Sequence, residues 1–149
     1  MELSQGVRDI LISSNWNSTR EIDINEYVNF LNKEGYFISP NAKEFLKSFG
    51  GIRIKPQNCV DGFFTKFHFN PLTSHNLSID CVRSYEQKIN EKLTLVGFSP
   101  ESIIAILMSE SGKFYGGTGE EDLLFFLGNN ISEVIEELLN DGYGIQVEF

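Results

Sequence analysis

The chain has 149 residues, 41% apolar and 22% charged, a balance that excludes a disordered polypeptide and suffices for one sizeable core. No apolar run is long enough to cross a bilayer, and residues 1–14, with Glu2, Gln5, Arg8 and Asp9, lack the apolar centre of a secretion signal. The net charge is −9, which argues against a nucleic-acid binder, because such a protein needs a basic footprint.

The excess charge is unevenly placed. Residues 1–100 hold eleven basic and eleven acidic side chains, whereas 101–149 hold ten acidic groups against Lys113 alone. An acidic final third of this kind either keeps the protein soluble or steers a basic partner towards it. Cys59 and Cys81 have no metal-like spacing. Without a secretion signal they are expected as reduced thiols in the cytoplasm.

In chain order, Leu3, Val7, Ile10 and Leu11 share one face of a first helix that Asn15 ends. Trp16 and Arg20 follow, read from the residues alone as a packing aromatic and a solvated charge. Asp23 is placed as the N-cap of a second helix, with Glu26 three residues on completing a capping box. Its buried stripe is Ile24, Tyr27, Phe30 and Leu31, and Gly35 closes it. Ser39 caps a third helix with Pro40 in its first turn, and Ala42, Phe45, Leu46 and Phe49 fall at i, i+3, i+4 and i+7. Gly50 and Gly51 stop that helix, and Ile52 to Lys55 alternate as a half-exposed strand.

Residues 63–69, FFTKFHF, read as a strand with Phe63, Thr65, Phe67 and Phe69 on one face. Residues 70–80 read as a loop and 81–92 as a helix with Val82, Tyr85 and Ile89 on its inner face. Residues 93–110 supply two strand-forming runs around Ser99, Pro100 and Glu101, the second apolar enough to be buried on both faces. Ser111 and Gly112 mark a turn, and 113–116 and 122–127 are further strands. Asn130 caps the last helix with Glu133 three residues later. Ile131, Val134, Ile135, Leu138 and Leu139 form its stripe, Asp141 and Gly142 end it, and the tail GIQVEF is available as an edge strand.

The stretch S-P followed by F-L-x-x-F-G-G-I, at 39–52, resembles the signature of the SUKH superfamily, the Smi/Knr-like proteins. Trp16-x-x-x-Arg20, the proline-bearing turn at 99–101, Ser111-Gly112-Lys113, Phe114-Tyr115-Gly116 and the Leu127-Gly128 step into the closing helix resemble its third subgroup in order and spacing. The resemblance implies a structural role for the Trp16–Arg20 motif. It also implies an immunity protein, a cytoplasmic antitoxin that binds and blocks the toxin domain, often a nuclease, of a cognate polymorphic toxin. A non-enzymatic scaffold or regulator of the eukaryotic Smi/Knr kind is the alternative it leaves.

Searching for chemistry yields little. Residues 112–119, GKFYGGTG, put the lysine before the glycines rather than after them, and Glu120, Glu121 and Asp122 would repel a phosphate. Those carboxylates lack the spacing of a Ca²⁺ loop. His68 and His75 match no shared metal geometry, and no nucleophile elbow or HExxH is present. No catalytic residue, cofactor or metal site is therefore assigned.

The fold expected is a single α+β domain over 1–149: an antiparallel or mixed sheet of about five or six strands with helices mainly on one side. The residues at 120–122 are either a solvated turn or part of an anionic patch. In the second reading Glu120, Glu121, Asp122, Glu133, Glu136 and Glu137 contact a basic toxin. Glu133 and Glu137 stand i, i+4 without a compensating lysine, a like-charge pair that a basic partner would relieve. Charge position alone selects these six. An aromatic concavity of Phe63, Phe67 and Phe69 is a third possibility, for a small ligand.

Overall fold

The computed structural model describes residues 3–56, 65–72 and 77–148. In chain order they form α1 (Gln5–Ser13), α2 (Asn25–Glu34), α3 (Pro40–Phe49), β1 (Arg53–Ile54), β2 (Phe67–His68), α4 (Ile79–Ile89), β3 (Leu93–Ser99), β4 (Ile104–Ser109), β5 (Phe114–Gly117), β6 (Leu124–Gly128), α5 (Ile131–Leu139) and β7 (Ile145–Gln146). The strands make one sheet in sequential order, each antiparallel to the next. The α+β class is as expected, and the sheet is wholly antiparallel with seven strands. Three of the seven, β1, β2 and β7, are only two residues long and lie within the segments 52–55, 63–69 and the tail that the pattern marks as strands.

Both faces of the sheet's centre are covered, so β3 and β4 are buried almost throughout. Phe114 and Gly117 lie on opposite faces of β5. Phe114 meets the ring of Phe45 from α3, with centroids 5.2 Å apart. A side chain at Gly117 would meet Tyr85 of α4 instead. α1 joins the α3 side through Trp16, which stacks on Phe49 at 5.3 Å and donates from Nε1 to Ser48 Oγ at 3.1 Å. Arg20 is not merely solvated. Its Nη1 and Nη2 donate to the carbonyls of Ser48 and Gly50, each at 2.7 Å, capping the end of α3.

Local signals place most helix ends. Ser39 Oγ accepts from Ala42 N at 3.0 Å, Gly35 closes α2 at φ 93° and Gly51 follows α3 at φ 81°. The start of α2 differs from expectation. Ile24 occupies the N-cap position without a side-chain cap, and Asp23 lies one residue before it, accepting from Asn25 N at 2.8 Å. Ile24 is buried, and its burial together with this local turn sets the helix start one residue later than the capping pattern did.

Among the described residues the strand expected over 63–69 is confined to β2; Phe63 and Phe64 lie outside them, as do Cys59 and His75. Lys66 is buried instead as an ion-pair centre, its Nζ donating to Glu101 Oε2 at 3.2 Å and to Asp141 Oδ1. Burial works to lower the pKa of this ammonium, but its bonds to the two carboxylates outweigh that and raise it. Phe67 and Phe69 are both fully buried and meet edge-on at 5.9 Å. They are core residues and offer no face to a ligand, and Phe63, the third member of the expected concavity, lies outside the described residues. Cys81 is a free, buried thiol whose pKa burial raises.

His68 is buried with its neighbours, and its Nδ1 accepts from Asn70 N at 3.1 Å. Burial, then the Arg53 guanidinium, hold its pKa below the ordinary value of 6.5. The unfolded chain thus binds the imidazole proton more readily than the native one. The resulting stability is complete above the unfolded pKa and is lost as pH falls through it towards the folded value. Urea unfolding between about pH 7.5 and about pH 5.5 should show a decline that is shallower in His68→Asn, which keeps an acceptor but does not titrate. Equal declines would exclude His68 as the source.

Candidate partner-binding surface

The six carboxylates chosen by charge position occupy two places. Glu120, Glu121 and Asp122 form the turn between β5 and β6 and are exposed. The backbone of this turn is tied down: the Tyr85 hydroxyl lies 2.6 Å from Glu120 O and 3.0 Å from Leu123 O, and Lys88 Nζ donates to Glu121 O at 2.8 Å. Thr118 Oγ1 completes the turn, donating to Leu123 O and accepting from Glu120 N. Burial raises the pKa of Tyr85, so its hydroxyl remains a donor at any ordinary pH. Among the described residues none of the three carboxylates accepts a hydrogen bond or forms an ion pair. The turn is thus a fixed backbone carrying three negative charges that have no partner among the described residues.

The glutamates of α5 are different, since each is bonded within the fold. Asn130 Oδ1 accepts from Glu133 N at 3.0 Å while Glu133 Oε1 accepts from Asn129 N at 2.9 Å, a reciprocal cap shifted by one residue on its second arm. Glu136 Oε1 accepts from the hydroxyl of Ser4 at 2.9 Å, and Ser4 N donates to Ser132 Oγ at 3.2 Å, which fastens the start of α1 to α5. Glu137 Oε2 accepts from Gly144 N at 3.0 Å, holding the return into β7. The like-charge pair at 133 and 137 is therefore compensated by neutral N–H donors rather than by a lysine. Nothing local in the sequence signals Ser4 or Gly144 as partners.

These three glutamates line one groove of about 400 Å³ together with Phe126 and Ile145. The turn at 120–122 precedes β6 and Glu133 follows it, so the five residues of that strand, roughly 16 Å, separate them. The α5 glutamates share that groove, and the three turn residues are not among its lining. Among the described residues no group of His, Cys, Asp or Glu side chains is arranged to hold a metal ion, and no helix is long and apolar enough to cross a membrane. Residues 112–119 are largely β5 and its flanking turns, and no helix begins there, so the geometry of a phosphate loop does not arise.

Comparison with known proteins matches the chain to a protein family. The family model described as SUKH-3 immunity protein covers residues 3–141, which include every motif from Trp16 to the end of α5. No curated protein and no solved structure matches the chain. By that match over nearly its whole length, the chain belongs to the SUKH-3 immunity protein family.

Proposed function

We propose that the chain neutralises a cognate toxin by one-to-one occlusion in the cytoplasm, without chemistry of its own, and that the toxin domain is a nuclease whose phosphate-holding face is basic. The observation that supports this most is the turn at 120–122, where α4 fixes the backbone and the three carboxylates have no partner among the described residues. A preorganised anionic projection of this kind can enter a basic cleft without first losing internal ion pairs or loop entropy. The glutamates of α5 add to the long-range field that draws in a basic partner.

The turn is the clean place to test the reading, because its side chains hold nothing else together. Glu120→Lys, Glu121→Lys and Asp122→Lys combined should lower the association rate for the toxin by about tenfold or more and flatten its dependence on salt. The unfolding midpoint should stay close to that of the parent, since the backbone ties from Tyr85 and Lys88 remain. Stopped-flow association at several salt concentrations, with calorimetry for the 1:1 stoichiometry, measures both. Unchanged rate and affinity would remove this turn from the interface. Charge reversal of Glu133, Glu136 and Glu137 is a poorer probe, because each substitution also breaks a hydrogen bond of the fold.

A further inference from the structure

A cleft lies elsewhere, lined by none of the six acidic residues. This cleft, of about 460 Å³, opens between the end of α1 and the edge strand β1, and among the described residues Arg20, Arg53 and Lys55 line it with no Asp or Glu. The chain carries 21 acidic and 12 basic side chains, yet three cations from two separate segments converge here. Among the described residues no carboxylate pairs with any of them. Arg20 is aimed by its bonds to the carbonyls of Ser48 and Gly50. Arg53 is held through Nε and Nη2 by Thr65 Oγ1, at 2.8 and 2.6 Å, and among the described residues its Nη1 has no acceptor. Arg53 in β1 and Lys55 just after it stand two apart and are both exposed, an arrangement of like charges that an anion would relieve. Burial lowers the pKa of Arg20, with Tyr27 opposing it, as expected of a cation partly withdrawn from water without a counter-ion.

Basic residues on an edge strand also discourage strands of other molecules from pairing there. That accounts for Arg53 and Lys55 but not for a third cation, fixed in place from another segment, nor for a concave site. The remainder of the wall divides by chemistry. Ile10, Ile52 and Pro56 are apolar, and Asn15 offers an amide. The hydroxyls of Ser13 and Ser14 are committed to Ile10 O, each at 2.8 Å, so the cations are the principal donors.

We propose that this cleft binds a phosphorylated small molecule of nucleotide size, with its phosphoryl group on Arg53, Lys55 and Arg20 and its organic part along Ile10, Ile52 and Pro56. Guanidinium groups match phosphoryl oxygens in geometry as well as charge, and the volume is that of an ordinary small-ligand site. This site is independent of the acidic turn, and the two readings fail separately.

Calorimetric titration of the intact protein with AMP, inorganic phosphate and adenosine tests it, in parallel with the double variant Arg53→Gln/Lys55→Gln. Both substituted residues are exposed, so the variant should keep the parent circular dichroism and unfolding midpoint. Saturable binding of AMP, weakened at least about tenfold in the variant and absent with adenosine, is the expected result. Phosphate binding as tightly as AMP would also support the phosphoryl site and would assign it to the free anion. No binding of either anion up to about 10 mM would overturn the proposal, as would equal binding by the variant or by adenosine.

Discussion

Replacing Gly97 by alanine should cost more than about 3 kcal/mol of stability, a large part of what a domain of this size has. The cause is a collision between backbones. β3 carries a bulge between Leu95 and Gly97, and a Cβ at Gly97 would lie 2.1 Å from His68 O and 3.0 Å from Phe69 Cα. Neither atom belongs to a flexible side chain that could move aside. β2 is held on its other side by β1, through the pairs Arg53↔His68 and Ile54↔Phe67, and Phe69 exchanges backbone bonds with Gly51 and Ile52. Phe67 and Phe69 are sunk in the core. For β2 to retreat, β1 must go with it and both rings must leave their packing. Urea unfolding at 25 °C should show a much lower midpoint, with Gly6→Ala in α1 as the control. Nothing lies within 4 Å of a Cβ at Gly6, so that change should be neutral or stabilising by up to about 1 kcal/mol. A Gly97→Ala protein within about 0.5 kcal/mol of the parent would mean that β2 does not press on the bulge.

Gly97 also marks a boundary of what the sequence discloses. A glycine within LTLVGFS suggests a bulge or a close approach, but only the fold says that the approaching chain is β2. Where information is local, the reading was sound. Ser39, Pro40 and the Phe45–Phe49 stripe define α3 within ten residues, and the five apolar positions of α5 name its inner face. Asn130 and Glu133 meet as a cap because both lie at the same helix end. Asp23 misled because two local patterns compete there, and the buried Ile24 decided between them.

Long-range pairing was illegible for a physical reason. Ser4 and Glu136 are 132 residues apart, and nothing about an exposed glutamate distinguishes one that holds a hydroxyl from one that faces water. The same limit applies to the candidate surface. Charge position selected six carboxylates as equals, whereas the fold divides them into three that bond within it and three that do not. It also brings Arg20, Arg53 and Lys55 to the wall of one cleft, within the two-thirds of the chain whose charges balance. Net charge describes how the molecule behaves at a distance, while the arrangement of charge against the fold determines what can dock.

Phe45→Ala should destabilise the protein by about 3–5 kcal/mol, the range for removing a large aromatic from a packed core. Phe45 is almost fully buried and touches three other rings: Phe49 at 5.1 Å, Phe69 edge-on at 5.1 Å and Phe114 at 5.2 Å. Those rings belong to α3 itself, to the residue following β2 and to β5, and Phe49 passes the contact on to Trp16. One side chain thus joins a helix to both an edge and the centre of the sheet. Alanine would leave a cavity that three rings on separate elements cannot close together, because each is fixed by its own backbone pairing. Each ring pair also contributes about 0.5–1.5 kcal/mol beyond its buried area, so Phe45→Leu should recover only part of the loss. Phe37, exposed between α2 and α3, is the comparison, and its replacement by alanine should change stability by less than about 0.5 kcal/mol. Chemical denaturation of the three variants orders them. If Phe45→Ala falls with Phe37→Ala, the aromatic cluster is not what clamps α3 to the sheet; if it unfolds first, the F-L-x-x-F-G-G-I segment is explained by packing and needs no role at a binding surface.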